Sequence, residues 1–178
     1  RVIAFGDSLT AGVGTDETYH DLLEDWMDLQ IDNAGRSGDT VGEALSRVDV
    51  DVINKNPDIA IVFLGGNDIL ENVPRSETES NLTELIERLK DANIEVVLMG
   101  VQRGSFIFDR ERIFERVAED MNVLYVPDAF NGILGRSQFF NDIRQDPVHP
   151  NENGHELIAS RLYPVLVEAI ENVGRFPV

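Results

Sequence analysis

Six consecutive apolar residues, Ile59 to Leu64, constrain the fold of this chain more than any other segment. The run contains no polar side chain and is followed by two glycines, Gly65 and Gly66. A strand that is apolar on both faces is typical of a parallel sheet covered by helices on its two sides. The segment therefore predicts a central strand of an α/β fold.

Shorter apolar runs alternate with amphipathic segments along the rest of the chain. Further strands are predicted at Val2–Phe5, Leu29–Asn33, Ile94–Met99 and Asn122–Val126. Apolar side chains at helical spacing predict helices at Asp16–Leu29, Val41–Lys55, Glu77–Ala92, Phe106–Met121 and Glu152–Asn172. Asp39 or Thr40 is the expected cap of the second helix. The alternation predicts one three-layer α/β/α domain over residues 1–178, with five mostly parallel strands.

The composition excludes several classes of function. The 178 residues include 33 acidic and 15 basic side chains, a formal net charge of −18, which argues against nucleic acid as a partner. No cysteine is present, so thiolate chemistry and Cys-ligated metals are excluded, and the three scattered histidines do not suggest a metal site. No segment approaches the ~20 apolar residues of a membrane span. We therefore expect no metal, no cofactor and no integral membrane contact.

The sequence is compatible with more than one environment and cellular location. A surface this acidic, with lysine only at Lys55 and Lys90, would suit a salty environment in which repulsion is screened; an ordinary acidic protein is the alternative. The chain begins at a predicted strand and without Met, which indicates trimming upstream. A periplasmic or secreted location and a cytoplasmic one are both compatible with the sequence, and the oligomeric state is not indicated.

Glycine-bearing turns follow three of the predicted strands, at Gly6, Gly35 and Gly65. The carboxyl ends of parallel strands share one edge of the sheet, where ligands bind. Ser8 lies just past the first turn, and the loop that carries His149 follows the fifth strand. We therefore expect these groups to meet at that edge.

Together these residues could form the machinery of a serine hydrolase. Such an enzyme needs a nucleophile, a base within about 3 Å and a group that orients the base. Ser8, His149 and Asp146 are the candidates for these roles, in that order. The Asn67 amide and the backbone N–H groups of Ser8 and Gly35 could form an oxyanion hole. Taken singly, Ser8 would be more typical of a turn or helix cap, and His149 of a surface loop.

Four sequence blocks resemble those of the GDSL, or SGNH, hydrolase family, and especially its small bacterial arylesterase, thioesterase and lysophospholipase members. The blocks are Gly6-Asp7-Ser8-Leu9, the glycine of Asn33-Ala34-Gly35, Gly65-Gly66-Asn67-Asp68, and Asp146-Pro147-Val148-His149. The resemblance implies a flavodoxin-like sheet of order 2-1-3-4-5. It also implies a triad of Ser8, Asp146 and His149, with Ser8, Gly35 and Asn67 as oxyanion donors.

Several other side chains are candidates for supporting roles. Asp7 and Asp68 are interpreted as caps that hold their loops, and His20 and His155 as structural or exposed residues. Candidates for contact with substrate are Gln102, Arg103, Phe106, Phe139 and Phe140. Gln102 and Arg103 could instead belong to a solvated loop. The three phenylalanines could instead be ordinary core residues.

The sequence thus predicts a serine esterase that hydrolyses small carboxylic esters, short-acyl or aryl, and extends to thioesters or lysophospholipids. A carbohydrate O-acetyl esterase is the alternative within the hydrolases. A flavodoxin-like module for flavin or phosphate is the alternative outside them, but Asp7 suits a phosphate poorly, and Asn67 and His149 would be unexplained. A catalytically silent scaffold would not need the full set of catalytic residues. The absence of a Gly-x-Ser-x-Gly motif argues against an ordinary α/β-hydrolase.

Overall fold

A central five-stranded parallel sheet organises the protein. The computed structural model describes residues 1–101 and 111–174, and the side chains of all of these except 111 and 112. The strands are β1 (Val2–Gly6), β2 (Ile31–Gly35), β3 (Ile59–Phe63), β4 (Glu95–Met99) and β5 (Leu124–Val126). They lie in the order β2-β1-β3-β4-β5, and each neighbouring pair is parallel. The predicted fold class and strand order are confirmed.

Seven α-helices accompany the sheet in the described part of the chain. They are α1 (Ser8–Ala11), α2 (Tyr19–Met27), α3 (Val41–Asp51), α4 (Gly66–Leu70), α5 (Arg75–Asp91), α6 (Glu111–Met121) and α7 (Glu152–Val173). Helices α2 and α7 pack together on one face of the sheet, and α3, α5 and α6 pack on the other. Two 3-10 turns, Ile53–Lys55 and Ser137–Phe139, complete the regular structure of these residues.

The core lies between the helical layers and the strands. Every side chain of β3 is buried, as expected for a strand that is apolar on both faces. Capping boxes define the starts of two helices: Thr18 with Asp21 begins α2, and Thr40 with Glu43 begins α3. Among the described residues, no helix combines the length and the apolar character that crossing a bilayer demands. Because the strands are parallel, the turns that follow β1, β2 and β3 lie at one edge of the sheet.

Candidate active site

Ser8 lies at the carboxyl end of β1, at the first position of α1. Gly6 permits this turn, because a Cβ at residue 6 would lie 2.0 Å from Thr10 Oγ1 and 2.7 Å from the Phe63 carbonyl oxygen. The Asp7 carboxylate accepts a hydrogen bond from the Leu9 N–H (3.1 Å) and caps the short helix, as predicted. The strand therefore presents the Ser8 hydroxyl at the edge where ligands bind in such sheets.

The three side chains of the predicted triad form one hydrogen-bonded series. Ser8 Oγ lies 2.9 Å from His149 Nε2, and His149 Nδ1 lies 2.8 Å from Asp146 Oδ2. In the tautomer with its proton on Nδ1, the imidazole donates to the carboxylate and accepts from the serine hydroxyl. Although 141 residues separate Ser8 from His149, the fold brings them into contact.

The Asp146 carboxylate organises the loop that carries the histidine. Its Oδ1 accepts hydrogen bonds from the backbone N–H groups of Val148 (3.2 Å) and His149 (3.1 Å). Partial burial acts to raise the pKa of Asp146, but the His149 side chain and these two N–H groups lower it below its ordinary value. The carboxylate is therefore ionised at neutral pH and faces the imidazole as an anion.

Asn67 lies at the second position of α4, directly after β3. Its Nδ2 donates to the Asp39 carbonyl oxygen (2.9 Å), which ties this turn to the loop after β2. An amide nitrogen carries two hydrogens, so one N–H remains for a ligand. The neighbouring Asp68 accepts from the Val41 N–H (2.9 Å) and from Thr78 Oγ1 (3.1 Å). Asp68 therefore holds its loop by a hydrogen bond to a backbone N–H, as predicted. The N–H belongs to the first residue of α3, however, and not to α4, the helix on which Asp68 lies.

Gly35 is placed less favourably than predicted for an oxyanion donor. Its N–H donates to Asn33 Oδ1 at 2.8 Å, so it could meet an oxyanion only if the Asn33 side chain moved away. A Cβ at residue 35 would lie 2.3 Å from the Ala11 nitrogen, and this close approach explains the glycine. The structure therefore attributes Gly35 to packing against α1.

Gly38 is a second candidate donor in this loop, and it was not predicted from the sequence. It is exposed, has a φ of +89°, and its N–H has no hydrogen-bond partner among the described residues. It precedes Asp39, whose carbonyl oxygen is held by Asn67. The signal was present in the sequence, since Asn33 two residues before Gly35 is the pattern of a side chain that satisfies a turn N–H.

Two of the predicted substrate contacts lie in or against the core. Phe140 is 4% exposed and belongs to the hydrophobic core, which favours the alternative of an ordinary core residue. Phe139 is half-buried and packs against the same core. Contact with substrate stays a prediction for both. Gln102, Arg103 and Phe106 lie outside the described residues.

His20 and His155 lie in the core on either side of Tyr19, and their predicted structural role is consistent with this burial. The Tyr19 N–H donates to His155 Nδ1 (3.1 Å), and His20 Nε2 lies 3.1 Å from the Thr10 carbonyl oxygen. The Tyr19 hydroxyl lies 2.9 Å from Thr10 Oγ1 in the helix that begins with Ser8. These residues support α1 from below.

The sequence of the chain matches the model of the GDSL-like lipase/acylhydrolase family over residues 4–157. The protein belongs to this family. The matched region includes Ser8, Asn67, Asp146 and His149. The predicted resemblance is therefore confirmed, and it extends over most of the chain.

Relatives of this GDSL-like protein include an arylesterase and a thioesterase/lysophospholipase. An arylesterase from Vibrio mimicus is 27% identical over 183 residues, which cover 94% of this chain and 88% of the relative. The thioesterase 1/protease 1/lysophospholipase L1 of Escherichia coli (strain K12) is 29% identical over 167 residues, 89% of this chain and 79% of the relative. The chain therefore spans most of the length of both relatives.

A solved structure with the same fold is that of the psychrotrophic esterase EstA from Pseudoalteromonas sp., inhibited by monoethylphosphonate. It superposes with a TM-score of 0.82 at 28% sequence identity, and the match covers 96% of this chain and 98% of EstA. The sheet and its surrounding helices are thus those of a GDSL-like hydrolase. In the part of the chain that the structure describes, no group of three or more His, Cys, Asp or Glu side chains is arranged to hold a metal ion.

Proposed function

We propose that this GDSL-family protein is a serine esterase that hydrolyses small carboxylic esters through a covalent acyl-enzyme. Ser8 is the nucleophile, His149 the general base and Asp146 the group that orients the base. The observation that carries the proposal is the continuous series of hydrogen bonds from Asp146 through His149 to Ser8, with distances of 2.8 and 2.9 Å. Both distances are within the range required of a nucleophile and its base.

Acylation begins when Ser8 Oγ attacks the carbonyl carbon of the ester and its proton passes to His149 Nε2. Asp146 remains ionised, holds the Nδ1 proton and stabilises the imidazolium that forms. The lowered pKa of Asp146 fits this role because a carboxylate that stays charged at neutral pH can oppose the new positive charge.

The tetrahedral intermediate carries a negative oxygen that must be met by donors already in place. The Ser8 N–H, at the start of α1, and the second N–H of Asn67 Nδ2 are two donors of this site. We assign the third to Gly38, because its N–H is available whereas that of Gly35 is bonded to Asn33. The Gly35 assignment would require Asn33 to rotate when substrate binds.

Collapse of the intermediate releases the alcohol or thiol, which takes its proton from His149. Water then attacks the acyl-enzyme with the same imidazole as base and frees Ser8. An imidazole in contact with the serine can serve both half-reactions without further groups.

The substrate class that we propose is small neutral esters with short acyl or aryl groups, extending to thioesters and lysophospholipids. The similarity to an arylesterase and to a thioesterase/lysophospholipase supports this range. The net charge of −18 disfavours strongly anionic substrates, because approach to the site would be repelled.

The first test compares hydrolysis of p-nitrophenyl acetate, butyrate, octanoate and palmitate by the wild type and Ser8→Ala. We expect loss of kcat by about 10⁴-fold or more in the variant, as for removal of other serine nucleophiles. The matched control is Ser46→Ala, since the Ser46 hydroxyl is exposed and bonds only the Glu43 carbonyl oxygen on α3. Circular dichroism verifies that all three proteins are folded.

Equal rates in the wild type and Ser8→Ala would contradict Ser8 as nucleophile. The chain-length profile of the wild type sizes the acyl site. If the wild type hydrolyses none of these esters, acetylated xylan oligosaccharides test the O-acetyl esterase alternative, and titration with flavin mononucleotide tests the binding-module alternative.

A further inference from the structure

One buried arginine bonds to several parts of the chain that carry the oxyanion donors. Arg47 lies on α3, and its side chain is 7% exposed. Its Nη2 donates to the Gly6 carbonyl oxygen (3.0 Å), and its Nη1 donates to the Ala34 carbonyl oxygen (2.9 Å). Its Nε donates to the Asp39 carboxylate, which is equally buried. A permanently charged group is rarely placed so deep without a specific set of partners.

Each of these contacts lies next to a proposed oxyanion donor. Gly6 is the last residue of β1 and lies two positions before Ser8. Ala34 and Asp39 bracket the turn of residues 35–38, one on either side. Asp39 also accepts the hydrogen bond from Asn67 Nδ2 through its carbonyl oxygen. One guanidinium is therefore bonded directly to two of the three loops, and reaches the third through Asp39.

Only an arginine can make this set of contacts. Its Nη1 also donates to Asp51 (2.9 Å), so the guanidinium makes four hydrogen bonds in one plane. The Phe5 ring supports that plane, with its centroid 4.5 Å from Cζ. A lysine would keep the charge, but its three donors radiate from a single nitrogen and cannot span acceptors on two strands and a loop.

We infer that Arg47 is a positioning residue of the oxyanion hole. It fixes the ends of β1 and β2 relative to each other and, through Asp39, fixes the Asn67 amide relative to both. This inference rests on the proposed function, because it assigns Arg47 to that same site. It does not place Arg47 in contact with substrate or with His149.

The expected consequence of replacing Arg47 is a loss of turnover rather than of binding. A displacement of about 1 Å at a reacting group can cost about 100-fold in rate, and loss of one oxyanion donor about 10²–10³-fold. These donors act mainly on the transition state, so KM should change little. The pH dependence should also be unchanged, because the Asp146–His149 pair does not contact Arg47.

The experiment compares Arg47→Lys with Arg88→Met on p-nitrophenyl butyrate. Arg88 on α5 forms an ion pair with Asp49 of α3, so its variant perturbs the same helix without touching the three loops. Each protein is also labelled to completion with a fluorophosphonate, which reacts with Ser8. The labelled fraction gives the concentration of reactive sites, and each rate is divided by it. We expect kcat per labelled site to fall at least 10-fold in Arg47→Lys with KM within about threefold, and to stay within twofold in Arg88→Met.

Amide hydrogen exchange tests the positioning role independently of activity. We expect faster exchange in segments 7–10, 35–40 and 66–68 of Arg47→Lys, and wild-type exchange there in Arg88→Met. Unchanged kcat per labelled site, or unchanged exchange in all three segments, would overturn the inference. If Arg47→Lys does not fold, the double variant Asp39→Asn/Arg47→Met, which removes both buried charges, takes its place with the same expectations.

The two proposals fail in different ways. A wild type without ester hydrolysis contradicts the proposed function, and exchange alone then decides whether Arg47 holds the three loops. An active wild type, with an Arg47→Lys variant of equal kcat, contradicts only the inference about Arg47.

Discussion

At the residue scale, the carboxylate next to the nucleophile has an unusual environment. Burial raises the pKa of Asp7 to about 6, against its ordinary 3.8; the Leu9 N–H and nearby His149 lower it, and Asp39 and Asp68 raise it. Between these two pH values the folded protein holds a proton that the unfolded chain releases. Stability therefore falls as the pH rises from about 4 to about 6, by roughly 3 kcal/mol at most.

We predict that Asp7→Asn stabilises the protein at pH 8 and has little effect near pH 4. Asparagine keeps the oxygen that accepts from the Leu9 N–H, so the cap of α1 is retained while the buried charge is removed. Thermal unfolding from pH 4 to 8 measures the difference in Tm between variant and wild type, with exposed Asp25→Asn as the control. A difference in Tm that does not depend on pH would show that the Asp7 charge is not the cause.

At the element scale, α2 and α7 meet through a buried histidine. His155 is fully buried on α7, accepts from the Tyr19 N–H at the start of α2, and stacks on the Tyr19 ring at an interplanar angle of 7°. Burial lowers the pKa of His155 to about 4; electrostatic interactions with His20 and His149 also lower it, and Asp21 opposes them. The contact therefore depends on a neutral imidazole.

We predict that His155 makes the protein less stable as the pH falls from 6.5 towards 4. In this window the unfolded chain binds a proton that the folded protein excludes, which costs roughly 3 kcal/mol at the acid end. Asp7 has the opposite effect between pH values of about 4 and 6, because its contribution lowers stability as the pH rises. The pH dependence of the wild type alone therefore reports only the sum of the two contributions. The measurement is the free energy of unfolding in urea for the wild type, His155→Gln and, as control, the exposed Glu156→Gln of the same helix.

The free energy of unfolding of the wild type, minus that of His155→Gln, should increase by roughly 3 kcal/mol as the pH rises from 4 to 6.5. Glutamine offers an oxygen to the Tyr19 N–H but does not titrate. Parallel curves for these two proteins would contradict the role of His155.

The strands were predictable from the sequence because their signal is local. The run Ile59–Leu64 matches β3 (Ile59–Phe63) to within one residue, since a fully apolar segment is legible without its neighbours. Helix starts were less accurate: α2 begins three residues after the predicted Asp16, because the Thr18–Asp21 capping box fixes its first turn. Helix α4 was not predicted, since it is a single turn without a full apolar period.

The parts of the site that the sequence did not reveal depend on long-range packing. Ser8, Asp146 and His149 could be selected because the chain contains the full set of required residue types, in sequence blocks that follow the predicted strands. Arg47 could not, because on an amphipathic helix an arginine is typical of the exposed face, and its burial is explained only by partners that the fold brings to it, among them the Gly6 and Ala34 carbonyl groups. The difference between Gly35 and Gly38 likewise depends on where the Asn33 side chain lies.

At the scale of the whole molecule, the excess of acidic charge is the dominant electrostatic property. The surplus of 18 acidic over basic residues cannot be matched within the chain, whatever ion pairs form. Described pairs include Arg1–Asp32, Arg36–Asp51, Arg88–Asp49 and Arg116–Glu79, all of them at least partly exposed. Exposed pairs of this kind contribute only about 0–1 kcal/mol each. Repulsion among the remaining carboxylates therefore acts against the compact state.

We predict that sodium chloride raises the Tm of this protein. Screening shortens the Debye length from about 10 Å at 0.1 M to about 3 Å at 1 M salt, so repulsion between surface carboxylates fades. Salt also weakens the exposed ion pairs, and the sign of the change reports which contribution is larger. The 18 unmatched charges favour stabilisation, and a gain of 1 kcal/mol would raise Tm by roughly 2–4 °C in a chain of this size.

Differential scanning calorimetry from 0.05 to 1 M salt measures this shift in Tm, with sodium perchlorate as a control that screens equally but binds surfaces differently. A rise in both salts at low concentration identifies screening, which would suit a salty environment, whereas an unchanged or falling Tm would favour an ordinary acidic protein.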